Sequence, residues 1–436
     1  MSNDVVKPTF SPGRERLILF VLAAVQFTSI VDFVVVMPLG PVLEEELSLT
    51  PARFGLIVSS YTYAAGVAGL LASVILDRFA RRTAFLALYV GFLAGTLACG
   101  LAPTYEWLLA ARVLTGAFGG VLGGMAMAIV GDVFPEHRRG TATGALMSAF
   151  ALASVVGVPA GLTLGQQFGW HVPFLTLAIL GVPIFFVAAI ALPRLDAHLG
   201  TKREHEHSLA QLKATFTEPN HLRAFALTAS MMFGVFTVIP FLSPYLVSNV
   251  KIPQEHLAVV YIAGGVLALV GSPIVGRLAD RFGKLVVYRV AAPLLAIVIL
   301  VATNLPPVSL WLAALVMALL MLCNSGRMVP AMAMITSSVA PQRRGGFLGA
   351  NSAVQHVSAG FGAFVGGFIL SKAPDGTIEH YPIVGLLGIA ATLVSVWLAG
   401  RLRIVGVDHT TTTGESLAVA AQGNVDAGEP ITAAEI

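Results

Sequence analysis

Apolar residues run along this chain in long blocks, each close to the roughly 20 residues that an α-helix needs to cross a bilayer, and the short stretches between blocks hold nearly all the charge. Twelve windows are predicted, at about 17–38, 54–76, 83–102, 107–131, 142–165, 173–192, 223–247, 257–275, 285–303, 309–338, 347–370 and 382–400. None alternates with period two, which excludes a closed β-barrel. The pattern also repeats. Gly276 to Lys284 (GRLADRFGK) and Ser73 to Arg81 (SVILDRFAR) lie 203 residues apart, and each is a short loop joining two windows. Pro41 and Pro244 keep the same spacing, and Pro341, Arg343, Arg344 and Gly345 echo Pro135, Arg138, Arg139 and Gly140. The chain is therefore predicted as an all-α integral membrane protein of two related halves, each with six spans.

Composition agrees. Of 436 residues, 56% are hydrophobic and 11% charged, against about 25% charged in soluble domains. Of the 26 lysines and arginines, 21 fall on the side of the termini, three (Arg53, Lys251, Lys372) fall opposite, and two (Arg112, Arg327) fall within windows. The positive-inside rule then puts both termini in the cytoplasm of a multi-pass protein of the cell's inner (plasma) membrane. The net charge of +3 reflects that topology and gives no support to a nucleic-acid partner. Cys99 and Cys323 lie within windows and read as packing residues, with no disulfide or metal site implied. The first window outruns a signal-peptide core and lacks a small-residue cleavage site. The expected division is a cytoplasmic segment 1–14, a first bundle 15–193, a linker 194–221, a second bundle 222–403 and a disordered cytoplasmic tail 404–436. In the linker, His198 and Lys202–His207 read as solvated rather than metal-binding, and Leu209, Leu212 and Phe216 suggest a short amphipathic helix on the membrane surface.

Polar side chains inside the windows are the candidate chemistry. Thr28, Ser29 and Asp32 share one helical face, and Asp32 lies roughly 9 Å before Pro38. Arg112, about five residues inside Trp107, lies at nearly the same depth. A carboxylate there faces a water-filled cavity or a partner, and a plain ion pair tying two helices is the structural alternative. The position matching Asp32 in the second half is Val235, so the halves differ in chemistry. Gly116, Gly120 and Gly124 form a small-residue stripe, and Gly157, Pro159, Gly161 and Gly165 combine such a stripe with a proline kink. Phe27, Tyr61, Tyr245, Tyr261, Asn324, Arg327, Gln355 and His356 are candidates for touching a small molecule. Each has a bland counterpart: a packed aromatic ring, a brace near Pro330 for Arg327, and an interhelical hydrogen bond for Gln355 and for His356, whose imidazole can also titrate near neutral pH.

Gly276, Leu278, Ala279, Asp280, Arg281, Gly283 and Lys284, placed between the second and third windows of a half, resemble the signature loop of the major facilitator superfamily. The first copy keeps Asp77, Arg78 and Arg81 but departs at both glycines, which are Ser73 and Ala80. Asp132 with Arg138 and Arg139 resembles the family's loop after the fourth helix, with Arg343 and Arg344 as its counterpart. The run Asp32 to Pro41 resembles the first-helix motif of proton-coupled drug exporters, and Arg112 the fourth-helix motif linked to proton transfer. Gly157 to Gly161 is similar to the fifth-helix motif of exporters, with Val158 separating Gly157 from Pro159. The resemblance covers roughly residues 15–403 and implies a twelve-helix drug:proton antiporter type of fold, two six-helix bundles around a midplane cavity. It implies a coupled Asp32 and Arg112 pair, and a cytoplasmic gate in which Asp77 and Asp280 engage helix N-termini of the facing bundle.

No Gly-x-x-x-x-Gly-Lys-Ser/Thr loop, His-Glu-x-x-His or Gly-x-Ser-x-Gly motif occurs, so neither an enzyme nor a cofactor is expected. Energy then comes from an ion gradient, where 100 mV supplies about 2.3 kcal/mol per charge. The expectation is a monomeric secondary transporter that exports small amphipathic molecules in exchange for protons, a multidrug-resistance type of activity. A sugar or metabolite efflux facilitator and a transport-inactive receptor or scaffold are the alternatives.

Overall fold

The computed structural model describes residues 11–196, 214–340 and 343–405, with Ser73, Val74, Asp77, Glu136 and His137 as backbone only. His198, Lys202–His207, Leu209, Leu212 and the chain beyond Val405 fall outside those residues. Twelve long helices follow in order: α1 (Pro12–Val35), α2 (Pro51–Ile75), α3 (Arg81–Gly100), α4 (Tyr105–Val133), α5 (Glu136–Leu152, then Val158–Phe168), α6 (His171–Ala191), α7 (Pro219–Phe236, then Ile239–Ser248), α8 (Leu257–Phe282), α9 (Lys284–Thr303), α10 (Leu310–Ser337), α11 (Arg344–Ile369) and α12 (Tyr381–Arg401). Among the described residues, all of these except α11 are long and apolar enough to cross a membrane by themselves. At 26 residues α11 has the length, but Asn351, Gln355, His356 and its many glycines dilute its apolarity.

Local chemistry sets the ends. Ser11 Oγ accepts from Arg14 N at 3.4 Å and starts α1 at Pro12, inside the segment 1–14 expected to precede the first bundle. Thr50 Oγ1 caps α2 in the same way at 3.3 Å, with Pro51 at the first helical position. Pro38 ends α1 at Val35, and the short helix Gly40–Glu46 resumes beyond it. Pro240 does the same to α7, so the break is part of the repeat. In α5 the expected proline kink takes a particular form: a π-helical turn, Ala153–Gly157, just before Pro159. An extra residue in the turn re-routes hydrogen bonds next to a residue that has no N–H to give.

Two separate apolar cores lie toward the termini. One belongs to the first half and includes Ile18, Phe85 and Ile129; the other belongs to the second and includes Ala224, Tyr288 and Phe347. On the opposite side, called here the far side, one core takes residues from both halves, among them Val35, Phe54, Phe241 and Tyr245. The seam between α2 and α11 shows where the halves part. From the far side inward, a Cβ at Gly367 would meet Pro51 O, one at Gly55 would meet Ala363 O, one at Gly360 would meet Thr62 and Tyr63, and one at Gly66 would meet Val357 and Ala353 O. A turn nearer the termini, Gly69 and Gly349 have nothing within 4 Å. The molecule is closed on the far side and parted on the termini side.

A cross-half ion pair sits over the closed end. Lys372 lies in a hairpin whose strands β1 (Ser371–Lys372) and β2 (Ile378–Glu379) pair antiparallel. Asn249 at the end of α7 ties the hairpin down, its side chain donating to Ile378 O at 2.9 Å and accepting from Ile378 N at 2.8 Å. Lys372 Nζ reaches Glu44 Oε2 of the first half at 2.8 Å, while Glu44 Oε1 is buried without a partner. Burial pushes the Glu44 carboxyl above its usual value of 4.5, against the pull of Lys372. The closed state therefore binds this proton better than an exposed glutamate would. Closure gains from Glu44 below pH 4.5 and loses that gain as pH rises through the raised value. Spin labels at Glu46 and Pro374 measure this directly: Glu44→Gln should raise the far-side-closed fraction and flatten its pH dependence, and Lys372→Gln should lower it. Unchanged distance distributions in both variants would remove the pair from gating.

Candidate functional site

Asp32 and Arg112 meet. Arg112 Nη1 lies 2.8 Å from Asp32 Oδ2 and also donates to Asp32 O at 3.3 Å. Thr96 of α3 donates to the other carboxylate oxygen at 3.2 Å. Both charged residues are 0% exposed. The guanidinium lies over the Tyr61 ring of α2 at 4.4 Å, and its Nε has no hydrogen-bond partner. A cation held by one carboxylate and one aromatic face is partly compensated on two sides and bare on a third.

The backbone approaches that make this possible come from glycines. Gly157, Gly161 and Gly165 of α5 lie against Val31, Val35 and Leu39, so a stripe every four residues grips α1 on either side of Asp32. Gly116 and Gly120 of α4 lie against Tyr61 and Ala65 of α2. Gly95 of α3 lies against Thr115 of α4, whose hydroxyl donates to Ala111 O at 2.7 Å. Around the pair, Ser29 donates to Gly119 O at 3.3 Å, and Thr28 lies 3.4 Å from the Tyr89 hydroxyl. Thr96 and Thr115 were not singled out by sequence: hydroxyls are common in apolar spans, and only the facing partner gives them meaning. Gln26 is a further such residue, because its Oε1 is buried and unpartnered beside Gly123.

The pair also touches the second half through aromatic rings. Tyr61 stacks on Phe33 at 5.0 Å, and Phe33 stacks on Phe236 of α7 at 6.0 Å, just before the break in that helix. Phe27 lies against Gly157. The other candidates divide. Tyr245 donates to Leu305 O at 3.0 Å and packs on Tyr381, and Tyr261 lies 2.7 Å from Ser243 Oγ, so both are committed to the far-side core. Arg327 is fully buried inside the second half, where it donates to Met231 O at 2.8 Å and Thr392 Oγ1 at 3.4 Å. Asn324, one turn away, keeps an unpartnered Oδ1. Gln355 and His356 are half-buried on α11, one turn from the Gly360 that meets Thr62 and Tyr63.

At the termini side, the contacts described for these loops lie within one half or the other. Arg81 Nε lies 3.5 Å from Asp132, and Arg138 lies 2.6 Å from Glu15. Arg139 Nε donates to Phe134 O at 3.1 Å and Arg344 Nε to Val339 O at 3.2 Å, the same contact in both halves. Arg78, Asp280, Arg281 and Arg343 are exposed, Lys284 is half-buried, Gly276 lies near Val329, and Gly283 turns with φ +92°. Asp77 is described by backbone alone.

A family model matches twice, over residues 22–231 and 224–419, once for each half, and its family is the Major Facilitator Superfamily. The chain belongs to that superfamily. This superfamily member is similar to the inner membrane transport protein YdhP of Escherichia coli strain K12, 27% identical over 368 residues that cover 84% of this chain and 91% of that protein. It is also similar to a probable sugar efflux transporter of Mannheimia succiniciproducens, 23% identical over 263 residues, 60% of this chain and 64% of that one. Among solved structures, a bacterial homologue of the human lysosomal transporter Spinster, inward-facing and occupied, shares the fold with a TM-score of 0.70 at 16% identity, covering 90% of this chain and 98% of that chain. The protein is a multi-pass membrane transporter of a small molecule.

Thermal unfolding in detergent separates a coupled pair from two independent residues. Arg112→Gln, which leaves the Asp32 charge buried, should cost about 3–5 kcal/mol. Adding Asp32→Asn to it should recover part of that loss, and strictly additive losses would mean that the two side chains do not support each other.

Proposed function

We propose that this transporter is an exporter of small amphipathic molecules driven by proton exchange, working as a monomer with both termini in the cytoplasm. One observation carries the reading: a buried carboxylate and guanidinium, 2.8 Å apart, at the point where α1, α3 and α4 meet. When a proton neutralises Asp32, the Arg112 charge loses its counter-ion in a low-dielectric site. The helices then favour an arrangement that gives Arg112 water or another acceptor. Proton occupancy and helix packing are linked through that requirement. With the termini side cytoplasmic, an ion pair in a molecule open toward the cytoplasm is the deprotonated state to which cargo binds, so that cargo favours proton release.

The parted seam and loop contacts that lie within one half or the other support alternating access. In the opposite state Asp77 and Asp280 would engage the N-termini of helices in the facing bundle. Half-buried Phe27, Gln355 and His356, and Asn324 with its unpartnered oxygen, are the cargo contacts this reading favours; Tyr245 and Tyr261 are held by their own hydrogen bonds.

Purified protein in liposomes with an imposed pH gradient tests this, with a panel of lipophilic cations, neutral antibiotics and sugars. The wild type should move at least one compound uphill, with proton movement triggered by that compound. Asp32→Asn should lose the uphill component and keep exchange of labelled for unlabelled cargo. Equal uphill transport by Asp32→Asn would remove Asp32 from the coupling, and passage of a sugar without proton movement in either protein would replace the antiporter with a facilitator.

A further inference from the structure

A groove of about 770 Å³ lies outside the first bundle, between the start of α3 and the end of α6 on the termini side, away from the Asp32 and Arg112 pair. Its wall changes character with depth. Arg82, Leu86 and Val90 are spaced by four on α3 and share one face, so a cationic end passes into an apolar stem about 12 Å long. Phe185 of α6 closes the apolar side, and Arg194 and Asp196 form the lip.

The cationic end is short of negative charge. Ala80 gives α3 no side-chain cap, and a helix N-terminus already carries partial positive charge. Arg81 finds Asp132 there, but Arg82 and Arg194 form no ion pair among the described residues. Arg82 spends one Nη on Ala189 O, and its Nε is buried without a hydrogen-bond partner. Arg81 N donates to Leu195 O at 3.0 Å, which folds the chain after α6 over the helix start and holds Arg194 beside it. Arg82, Arg194 and a helix start without a side-chain cap, with Asp196 as the acid that lines the groove, are placed where the polar edge of a bilayer meets its hydrocarbon.

We infer that this groove binds an anionic phospholipid. The head-group phosphate takes Arg82, Arg194 and the first-turn amides of α3, and an acyl chain lies along Leu86, Val90 and Phe185. A free phosphate satisfies only the first of these surfaces. The site requires only that the helices span a membrane, and it stands whether or not the chain exports drugs.

Native mass spectrometry of protein released from micelles tests it, with phosphatidylglycerol and phosphatidylcholine of identical acyl chains and with glycerol phosphate as a tail-less competitor. One phosphatidylglycerol should be retained in preference to phosphatidylcholine, and Arg82→Gln with Arg194→Gln should weaken that retention about thirtyfold, two surface arginines' worth. Arg401→Gln with Arg403→Gln, at the end of α12, should leave it intact, and Asp196→Asn should strengthen it. Retention that survives loss of Arg82 and Arg194, falls equally in the Arg401 and Arg403 control, or is displaced by glycerol phosphate at equal concentration would overturn the assignment.

Discussion

A carboxylate and a guanidinium buried away from solvent hold their charges only in contact, and this requirement organises the first half of the molecule. Asp32 and Arg112 are each fully buried and lie 2.8 Å apart. To meet, α1 and α4 must come close while α3 brings Thr96 to the remaining carboxylate oxygen. The α5 glycines that grip Val31 and Val35 hold α1 in place for that contact. Charge and packing are thus set at one point, and a change in one alters the other.

The two halves are joined unequally. On the far side they share a core, an α2–α11 seam of small residues and the Glu44–Lys372 pair; toward the termini each keeps a core of its own. An interface of this kind can part at one end while it holds at the other, which is what rigid bundles need in order to rock. The contacts from Arg112 through Tyr61 and Phe33 to Phe236 end at the break in α7, so rearrangement around the pair meets the second half where that helix is interrupted.

Much of this was legible in sequence, because bilayer thickness and internal repetition leave marks that need no tertiary knowledge. The windows, the paired Asp-Arg-Phe loops and the common depth of Asp32 and Arg112 below Pro38 and Trp107 are all linear facts; that the two residues pair was implied by the family resemblance, and they meet across 80 residues of chain. The rest depends on what faces what. Lys372 read as a stray external charge until the hairpin carried it to Glu44. Tyr245 and Tyr261 look like cavity aromatics in sequence and are bound into the far-side core. The π-helical turn before Pro159 adds a single residue to a helix, too little to disturb an apolar pattern. The helix α11 read as an ordinary span, although its glycines serve close contact with α2 at the expense of apolarity.

In the proposed cycle Asp32 gives up and takes a proton as the transporter turns over. Infrared difference spectra of the protein in liposomes, taken as cargo is added and removed, read this directly, because a protonated carboxyl buried in the bilayer has a carbonyl stretch well separated from that of a carboxylate. A carboxylic-acid band should disappear on cargo binding and be absent from Asp32→Asn. A wild type that transports cargo with no such band, or with one unchanged in Asp32→Asn, would leave Asp32 and Arg112 as a static tie between helices.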